Sequence, residues 1–481
     1  MQWDFSKMIK KFSSDNKSDM LTRGRFGIER ESQRVNPLGE LALTPHPLEL
    51  GDKFNNPRIT TDFSESQIEI ITPALESVKE VYKSLGNISN EVKKGIKGEL
   101  LWPLSMPPKL PEEKYIPIAK FPDTEEGKEK QIYRNGLALR YGKKMQMISG
   151  IHYNFSFCRD MIDFLYEEFS KGKNKRKFID EMYFALTRNF LRYRWLIIYL
   201  LGASPLCDST YYSVICNELK EVEKCCPKCC GIIKEFNKYA ASLRVSRFGY
   251  SSSKDEKHTI YFNSLEEYSV KLREMMATES EKYSKLGIYK DGVQIQLNGN
   301  LIQSESEFYS PIRLKRNTSE SETQLEALMK RGVEYIEIRI LDIDPLKKLG
   351  ISVEEMNFIQ VFIIFCLFEN SEFIDKKEFE KANTNHQLAA LMGRKENILL
   401  HKYEGGKISI KNWGEEIFSK LKIIAELMDK NSTEKKYVKS VEIEYKKLGD
   451  VSLLPSQKIY SEMMNRKESY LDFGIRYADN M

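Results

Sequence analysis

Five short runs of this sequence alternate apolar residues with acids, amides or a histidine, and this pattern most constrains the fold. The runs are Phe26–Glu31, Gln67–Ile71, Gln146–Ser156, Val293–Asn300 and Tyr335–Asp344. Because strand side chains alternate between two faces, each run has one apolar and one polar face. A solvated face usually carries lysine, threonine and mixed charge, whereas these polar faces are nearly free of lysine. The sequence therefore predicts a mostly antiparallel sheet with a packed back and a concave working front.

Segments with helical periodicity lie between and after these runs. They are Val78–Gly95, Lys177–Leu200, Leu265–Met276, Ser352–Phe368 and Trp413–Met428. With 481 residues, 41% of them hydrophobic, the chain can bury one large core or two moderate ones. No stretch resembles a domain linker. We therefore expect an α+β catalytic domain over residues 1–370, with residues 371–481 as a mostly helical part of the same unit.

The polar faces carry the residue types that bind divalent cations. The candidate ligands are Glu29, Glu31, Asp62, Glu69, His152 and Glu337. Mg²⁺ and Mn²⁺ prefer oxygen donors and tolerate imidazole, and packed carboxylates repel one another unless a cation is present. Any one of these residues alone is more often a surface or core residue, so the prediction depends on the set. Arg339 follows Glu337 on the same face, where it can stabilise charge that develops in phosphoryl transfer.

Several other classes of protein find no support in the sequence. There is no GxxxxGK[ST] loop, and the Gly24–Gly27 stretch lacks the Rossmann pattern. The 75 basic and 70 acidic residues give a net charge of +5, without the basic stripe typical of nucleic-acid binding. The N-terminus has no secretory signal, and the longest apolar runs are shorter than the roughly 18–20 residues that span a bilayer. We predict a cytoplasmic protein with no membrane, nucleic-acid or obligate protein partner.

Longer blocks, in a consistent order from about residue 20 to about residue 370, carry a family resemblance. They are Gly27–Glu31, Ile59–Phe63, Trp102–Pro107, Tyr133–Arg134, Ile148–Ser156, Leu201–Pro205, Ser242–Arg244, Gly249–Tyr250, Tyr309–Arg313 and Glu334–Arg339. In content and order these blocks resemble the proteobacterial type of glutamate–cysteine ligase (γ-glutamylcysteine synthetase). Residues 371–481 match that family weakly.

The resemblance implies a glutamine-synthetase-like catalytic fold, in which a curved, mostly antiparallel β-sheet forms a funnel surrounded by helices. It implies that ATP, L-glutamate and L-cysteine react by way of γ-glutamyl phosphate to give γ-glutamylcysteine, ADP and phosphate. That reaction is the first step of glutathione biosynthesis. The implied small molecules are the two amino acids, ATP as co-substrate, and two or three Mg²⁺ ions, with Mn²⁺ as an alternative.

The resemblance also implies roles for individual residues. The ion nearest the phosphates would be held by Glu29, His152 and Glu337. The ion nearest the acyl site would be held by Glu31, Asp62 and Glu69. Glu337 and Arg339 would be catalytic, and the nucleotide would contact Arg339 and Asn154. Glutamate would be positioned by Arg134 and the backbone of Ile148 and Gly150. The cysteine pocket would be formed by Phe63, Tyr133, Arg244, Tyr250 and Tyr309.

The block Cys225–Cys230 is not part of the family pattern. Its two interleaved CxxC pairs can bind zinc or form a redox switch. However, four thiols within six residues give cramped zinc geometry, and Pro227 favours a tight turn. A reduced surface turn, a disulfide or redox role and a metal site all stay open as interpretations.

Two other functions fit the same residues. One is a γ-glutamyl ligase of the same fold that uses a different amine acceptor, because a few pocket residues decide the acceptor. The other is a catalytically silent homologue with a binding or regulatory role. Loss of ligands would indicate the second, yet all six predicted metal positions and Arg339 are present.

Overall fold

A computed structural model of the protein describes residues 3–13, 17–223, 235–250, 258–319 and 321–478. The block Cys225–Cys230 lies outside the described residues, and its three interpretations stay predictions. Within the described residues, the free cysteines are Cys158, Cys207, Cys216 and Cys366.

A seven-stranded sheet forms the centre of the fold. Its strands lie in the order β2 (Ile59–Thr60), β3 (Gln67–Ile71), β1 (Gly24–Val35), β5 (Ile151–Phe157), β9 (Tyr335–Leu341) and β8 (Ile312–Lys315). The seventh strand, β4 (Leu100–Leu101), pairs with the end of β1. Every neighbouring pair in this sheet is antiparallel, as the alternation predicted. Two separate hairpins pair β6 (Tyr289–Lys290) with β7 (Val293–Gln294) and β10 (Leu399–His401) with β11 (Lys407–Ser409).

The predicted strand Val293–Asn300 is wrong over most of its length. Only Val293–Gln294 is a strand, in an exposed hairpin apart from the central sheet. The side-chain amides that follow bond to other segments and loops, and their backbone does not join a ladder. Gln296 Oε1 accepts from Arg140 Nε at 3.0 Å, and Asn298 Nδ2 donates to the carbonyl of Gln303 at 3.0 Å. The Asn298 bond is a local side-chain-to-backbone bond, a kind that competes with sheet pairing.

The predicted strand Gln146–Ser156 begins later than the alternation indicated. Residues Met145–Met147 form a 3₁₀ turn, and β5 starts only at Ile151. The half of the run that carries His152 and Asn154 is therefore in the sheet.

Helices cover the back of the sheet and make up most of the C-terminal part. They are α1 (Phe5–Ser13), α2 (Val78–Gly95), α3 (Glu125–Tyr141), α4 (Arg159–Phe169), α5 (Lys175–Leu201), α6 (Tyr212–Glu223), α7 (Leu265–Ala277), α8 (Glu281–Ser284), α9 (Gln324–Arg331), α10 (Val353–Phe368), α11 (Lys376–Met392), α12 (Ile410–Met428), α13 (Lys436–Gly449), α14 (Pro455–Arg466) and α15 (Tyr470–Ala478). All five predicted helices are present, each with ends within a turn of the predicted ends.

Local signals explain why these helices begin where they do. Ser77 caps α2 by accepting a hydrogen bond from the Glu80 amide at 3.1 Å. Ser352 and Glu355 form a capping box at the start of α10. No helix in the described part of the chain combines the length and the apolar character that a membrane span needs.

One large apolar core joins the back of the sheet to α5, α10 and the C-terminal helices. The Phe190 and Phe362 rings pack edge to face with centroids 6.0 Å apart. The Trp195 and Trp413 rings lie 5.0 Å apart, so residues on both sides of position 370 share this core. The domain boundary at residue 370 stays a prediction.

Candidate active site

The polar face of the sheet lines a cavity of about 1020 Å³. The cavity wall contains most of the residues predicted for the site, namely Glu29, Glu31, Asp62, Phe63, Glu69, Tyr133, Arg134, His152, Arg244, Tyr250, Tyr309, Glu337 and Arg339. Three predicted site residues are not part of the wall, namely Ile148, Gly150 and Asn154. The strands and loops therefore bring distant parts of the sequence to one cavity.

Strand register brings Glu29, His152 and Glu337 together. Glu29 lies opposite His152 across β1 and β5, and the register between β5 and β9 shifts at His152. Irregularities of this kind re-aim side chains beside active sites. His152 Nδ1 is 3.1 Å from Glu29 Oε2 and 3.2 Å from Glu337 Oε1. One ligand atom from each residue lies within 4.8 Å of the other two, which is compact enough for a single ion.

The chemistry of this trio fits a divalent cation. Two carboxylates and an imidazole are donors that Mg²⁺ or Mn²⁺ accepts, and Glu337 Oε2 is buried without a hydrogen-bond partner. Burial acts to raise the pKa of Glu29, but its bond to His152 leaves that pKa below its usual value. Burial also opposes ionisation of Glu337, yet the charge of Arg339 holds its pKa well below normal. Both carboxylates are therefore anionic and available to a cation.

A second acidic group adjoins the first. Glu31 lies opposite Glu69 across β1 and β3, and Asp62 lies just after β2. Burial and the charge of Asp62 raise the pKa of Glu31. Burial and the charges of Glu29, Asp62 and Glu31 raise the pKa of Glu69 well above normal. These carboxyls repel one another, and a bound cation would relieve that repulsion.

A cationic edge lies beside Glu337. Arg339 Nη1 pairs with Glu337 Oε1, and the Arg339 Nε is buried without a hydrogen-bond partner. Lys315 Nζ lies 3.8 Å from Glu337 Oε2, and Arg313 lies opposite Glu337 across β8 and β9. Both Arg313 and Lys315 line the cavity, although no role was predicted for them from the sequence. Their alternation with Ile312 and Leu314 is the signal that indicates them.

Arg244 has unpaired N–H groups that can bind an anionic group. Its Nη2 donates to the carbonyl of Arg339 at 2.9 Å, while its Nε and Nη1 are buried without partners. A Cβ on Gly150 would lie 1.9 Å from Arg244 Nη2, so only glycine leaves room for the guanidinium there. The nearby rings of Tyr250 and Tyr309 stack with centroids 5.9 Å apart. Free N–H groups beside an aromatic wall suit the carboxylate of an amino acid.

Helix α3 supplies another part of the wall. Arg134 donates through Nε to the carbonyl of Asp62, and its guanidinium lies 4.6 Å from the centroid of the Phe121 ring. Tyr133 precedes it on the helix, and Phe63 is buried beside Asp62. These contacts attach α3 to the loop that carries Asp62.

The three predicted residues outside the wall have other visible contacts. Asn154 Nδ2 donates to Glu29 Oε1 at 2.9 Å. The Gly150 amide donates to Glu31 Oε2 at 3.0 Å, and its carbonyl accepts from the Glu31 amide at 3.0 Å. Ile148 is fully buried. Asn154 and Gly150 thus support predicted ligands, and their roles toward nucleotide and glutamate stay predictions.

A buried ion pair that was not predicted from the sequence also lines the cavity. Arg140 Nη1 lies 3.1 Å from Glu307 Oε1, which also accepts from the Tyr141 hydroxyl at 2.7 Å. This pair ties α3 to the segment before β8. Arg140 and Tyr141 lie on a helix and Glu307 in a 3₁₀ turn, so no strand alternation could indicate them.

Comparison with known proteins gives consistent matches over most of the chain. The family model for glutamate-cysteine ligase matches residues 9–389. The glutamate–cysteine ligase of Clostridium acetobutylicum is 67% identical over 480 residues, which cover 100% of both chains. That of Pseudomonas putida is 39% identical over 95% of this chain and 86% of its own. A crystal structure of the Francisella tularensis glutamate–cysteine ligase in complex with AMP superposes with a TM-score of 0.84, at 32% identity over 95% of this chain and 88% of that one.

Proposed function

This chain belongs to the glutamate–cysteine ligase family, and from that membership we infer its reaction. It joins the γ-carboxylate of L-glutamate to the amine of L-cysteine at the expense of ATP. The products are γ-glutamylcysteine, ADP and phosphate, and the reaction is the first step of glutathione biosynthesis. The predicted cytoplasmic location stays a prediction.

The observation that best supports this chemistry is the convergence of Glu29, His152 and Glu337 beside Arg339. We propose that the trio holds one divalent cation, with Mg²⁺ preferred and Mn²⁺ as the alternative. Glu31, Asp62 and Glu69 would hold a second ion. Such ions, when bound, neutralise phosphate oxygens and orient the transfer.

Phosphoryl transfer follows from this arrangement. An oxygen of the glutamate γ-carboxylate forms a bond to the γ-phosphorus of ATP, and the bond from that phosphorus to the bridging oxygen of ADP breaks. Arg339 stabilises the charge on the transferring group, with Lys315 close by. The cysteine amine then attacks the acyl carbon of γ-glutamyl phosphate, loses a proton, and phosphate leaves.

The amino acids bind at the other end of the cavity. The unpaired N–H groups of Arg244 donate to the cysteine carboxylate, and the stacked Tyr250 and Tyr309, with Phe63 and Tyr133, enclose its side chain. Arg134, which lies on α3, binds the substrate L-glutamate.

Phosphate release by the purified protein tests this function. With ATP, Mg²⁺ and glutamate, we expect release to depend on cysteine or a close analogue when a panel of amino acids is supplied. Without cysteine, hydroxylamine should trap the acyl phosphate as γ-glutamyl hydroxamate. Equal release with unrelated amines would favour the alternative, a γ-glutamyl ligase with another acceptor.

A variant of the metal trio separates chemistry from folding. Glu337→Gln should abolish both phosphate release and hydroxamate formation. Glu334→Gln, three residues earlier with a partly exposed side chain, should keep both. Unchanged turnover in Glu337→Gln would contradict the proposal and point to a different site.

A further inference from the structure

A second, smaller cavity of about 170 Å³ adjoins the active-site cavity. Four residues line both cavities and form a shared wall, namely His258, Met275, Phe308 and Tyr309. The other walls come from α5, the segment before α7, and α11, and they are mostly apolar. Leu191, Phe262 and Phe379 are typical of this lining.

The charged group at the base of this cavity is Arg194 of α5, which is 2% exposed. Its Nε donates to His386 Nδ1 at 2.7 Å, its Nη1 to the Leu191 carbonyl at 2.7 Å, and its Nη2 to Asn383 Oδ1 at 2.6 Å. A guanidinium carries five N–H groups, so one on each terminal nitrogen is left for a ligand.

None of these partners neutralises the charge of Arg194. His386 Nε2 donates to the Val245 carbonyl at 2.6 Å. Burial, and to a smaller extent the charge of Arg194, lowers the pKa of His386 to about 3. The imidazole is therefore neutral and accepts from Arg194. No carboxylate in the described part of the chain forms an ion pair with Arg194. A buried cation with only neutral partners is costly, and an anion in the adjacent cavity would offset that cost.

The remaining features of the cavity define the rest of the ligand. Ser310 is 2% exposed, and its Oγ is buried without a hydrogen-bond partner. It therefore offers a hydroxyl donor to an anion. Glu380 and Lys376 are exposed on α11 and lie 3.8 Å apart, at the outer end of the cavity. An apolar cavity of about 150 Å³ can hold benzene, so this one suits a ligand of about six or seven non-hydrogen atoms.

We propose that this cavity is a second binding site, for a compact carboxylate with an apolar body. The carboxylate pairs with Arg194 and accepts from Ser310, while the apolar part packs against Leu191, Phe262 and Phe379. The site is separate from the substrate sites proposed above, and its occupancy requires no turnover.

The same contacts connect the second site to the acceptor end of the active site. His386 links Arg194 to the carbonyl of Val245, which follows Arg244 directly. Tyr309, in the shared wall, stacks on Tyr250. A bound carboxylate would therefore act on the groups proposed to hold cysteine, and we expect it to change the KM for cysteine at least twofold.

Direct binding measurements on the full chain test the site. The probe is 3-methylbutanoate, and its uncharged analogue 3-methylbutanamide is the control. Calorimetry is carried out with saturating glutamate and cysteine but without nucleotide, so that the proposed amino-acid sites are filled and no turnover occurs. We expect saturable binding of the acid, at least tenfold tighter than that of the amide. Equal binding of the two probes, or loss of acid binding when the substrates are added, would overturn the proposal.

Paired variants then locate the binding. Arg194→Gln should lose the preference for the acid. Arg394→Gln should retain it, because Arg394 is also buried with neutral partners but lines neither cavity. Full acid binding by a folded Arg194→Gln would refute the assignment. If that variant fails to fold, the comparison of acid and amide binding to the unmodified protein still tests whether the second site exists. A cysteine KM unaffected by saturating 3-methylbutanoate would refute the coupling.

Discussion

Three of the proposed metal ligands at the floor of the cavity contact a neighbouring group that can orient them. Asn154 donates to Glu29, the Gly150 amide donates to Glu31, and Arg339 pairs with Glu337. Groups that orient metal ligands in this way tune affinity without reaching the ion themselves. A residue that a sequence motif marks as a substrate contact can therefore act indirectly, by orienting a proposed metal ligand.

The role of Asn154 can be tested with Asn154→Ala, which removes the donor to Glu29 Oε1. We expect the apparent affinity for Mg²⁺ to fall by about 10–100-fold, because Glu29 loses its orientation, while kcat at saturating Mg²⁺ changes little. Activity measured over a Mg²⁺ titration checks this. Ser156→Ala, two residues along β5, is the control. A raised KM for ATP at saturating Mg²⁺, with unchanged Mg²⁺ affinity, would instead support the nucleotide contact predicted from the sequence.

Gly150→Ala tests the proposed acceptor pocket. The new Cβ would lie 1.9 Å from Arg244 Nη2, and the end of that flexible side chain can move at little cost to the fold. We expect the KM for cysteine to rise by about tenfold or more, a loss of about 1.4 kcal/mol in binding, with little change in unfolding temperature. Gly86→Ala on α2 meets only an ordinary contact at 3.5 Å and serves as the control. An unchanged KM for cysteine would remove Arg244 from the pocket.

At the scale of elements, periodicity correctly predicted strands whose formation follows the local sequence pattern. It failed where contacts with distant segments determine the structure. Glu29, His152 and Glu337 were correctly placed on strands because the runs that carry them lie within β1, β5 and β9. The run Val293–Asn300 alternates equally well, but its amides bond to Arg140 and to neighbouring loops. The Arg140–Glu307 pair went unnoticed for the same reason, since its partners are 167 residues apart.

The C-terminal helix α15 provides an element-scale test. Gly474 faces the buried indole of Trp102, and a Cβ there would lie 1.9 Å from Trp102 Cη2. Trp102 and Tyr470 both donate to the Met106 carbonyl, so neither ring can move aside freely. Gly474→Ala should therefore destabilise the protein by about 1–3 kcal/mol. Chemical denaturation checks this.

The control for that measurement is Gly449→Ala at the end of α13. No atom lies within 4 Å of the Cβ it would add, so its stability should match the parent or exceed it slightly. Equal stability of the Gly474 and Gly449 variants would mean that α15 is not packed against Trp102.

Across the whole molecule, a buried cluster of charges joins the end of the sheet to the C-terminal helices. Asp344 follows β9, Glu355 lies in the first turn of α10, and Glu444 and Lys447 lie on α13. Lys447 Nζ is 2.8 Å from Glu444 Oε2 and also donates to the Leu200 carbonyl at 3.0 Å. These buried groups therefore connect elements that are far apart in the sequence.

The pH dependence of stability tests this cluster. Burial and the charge of Glu355 raise the pKa of Asp344 to about 7, above the value of about 4 in an unfolded chain. The folded state thus binds a proton that the unfolded state has lost, so this contribution to stability is complete below about pH 4 and disappears as pH rises through about 7. Asp344→Asn cannot ionise, and its amide oxygen can still accept from the Leu346 amide. The unfolding midpoint of Asp344→Asn, relative to the parent, should therefore rise between pH 5.5 and 8.5.

Glu442→Gln, on the exposed side of α13, should give curves parallel to the parent. A flat difference for Asp344→Asn would mean that Asp344 is already ionised in the folded protein at pH 5.5.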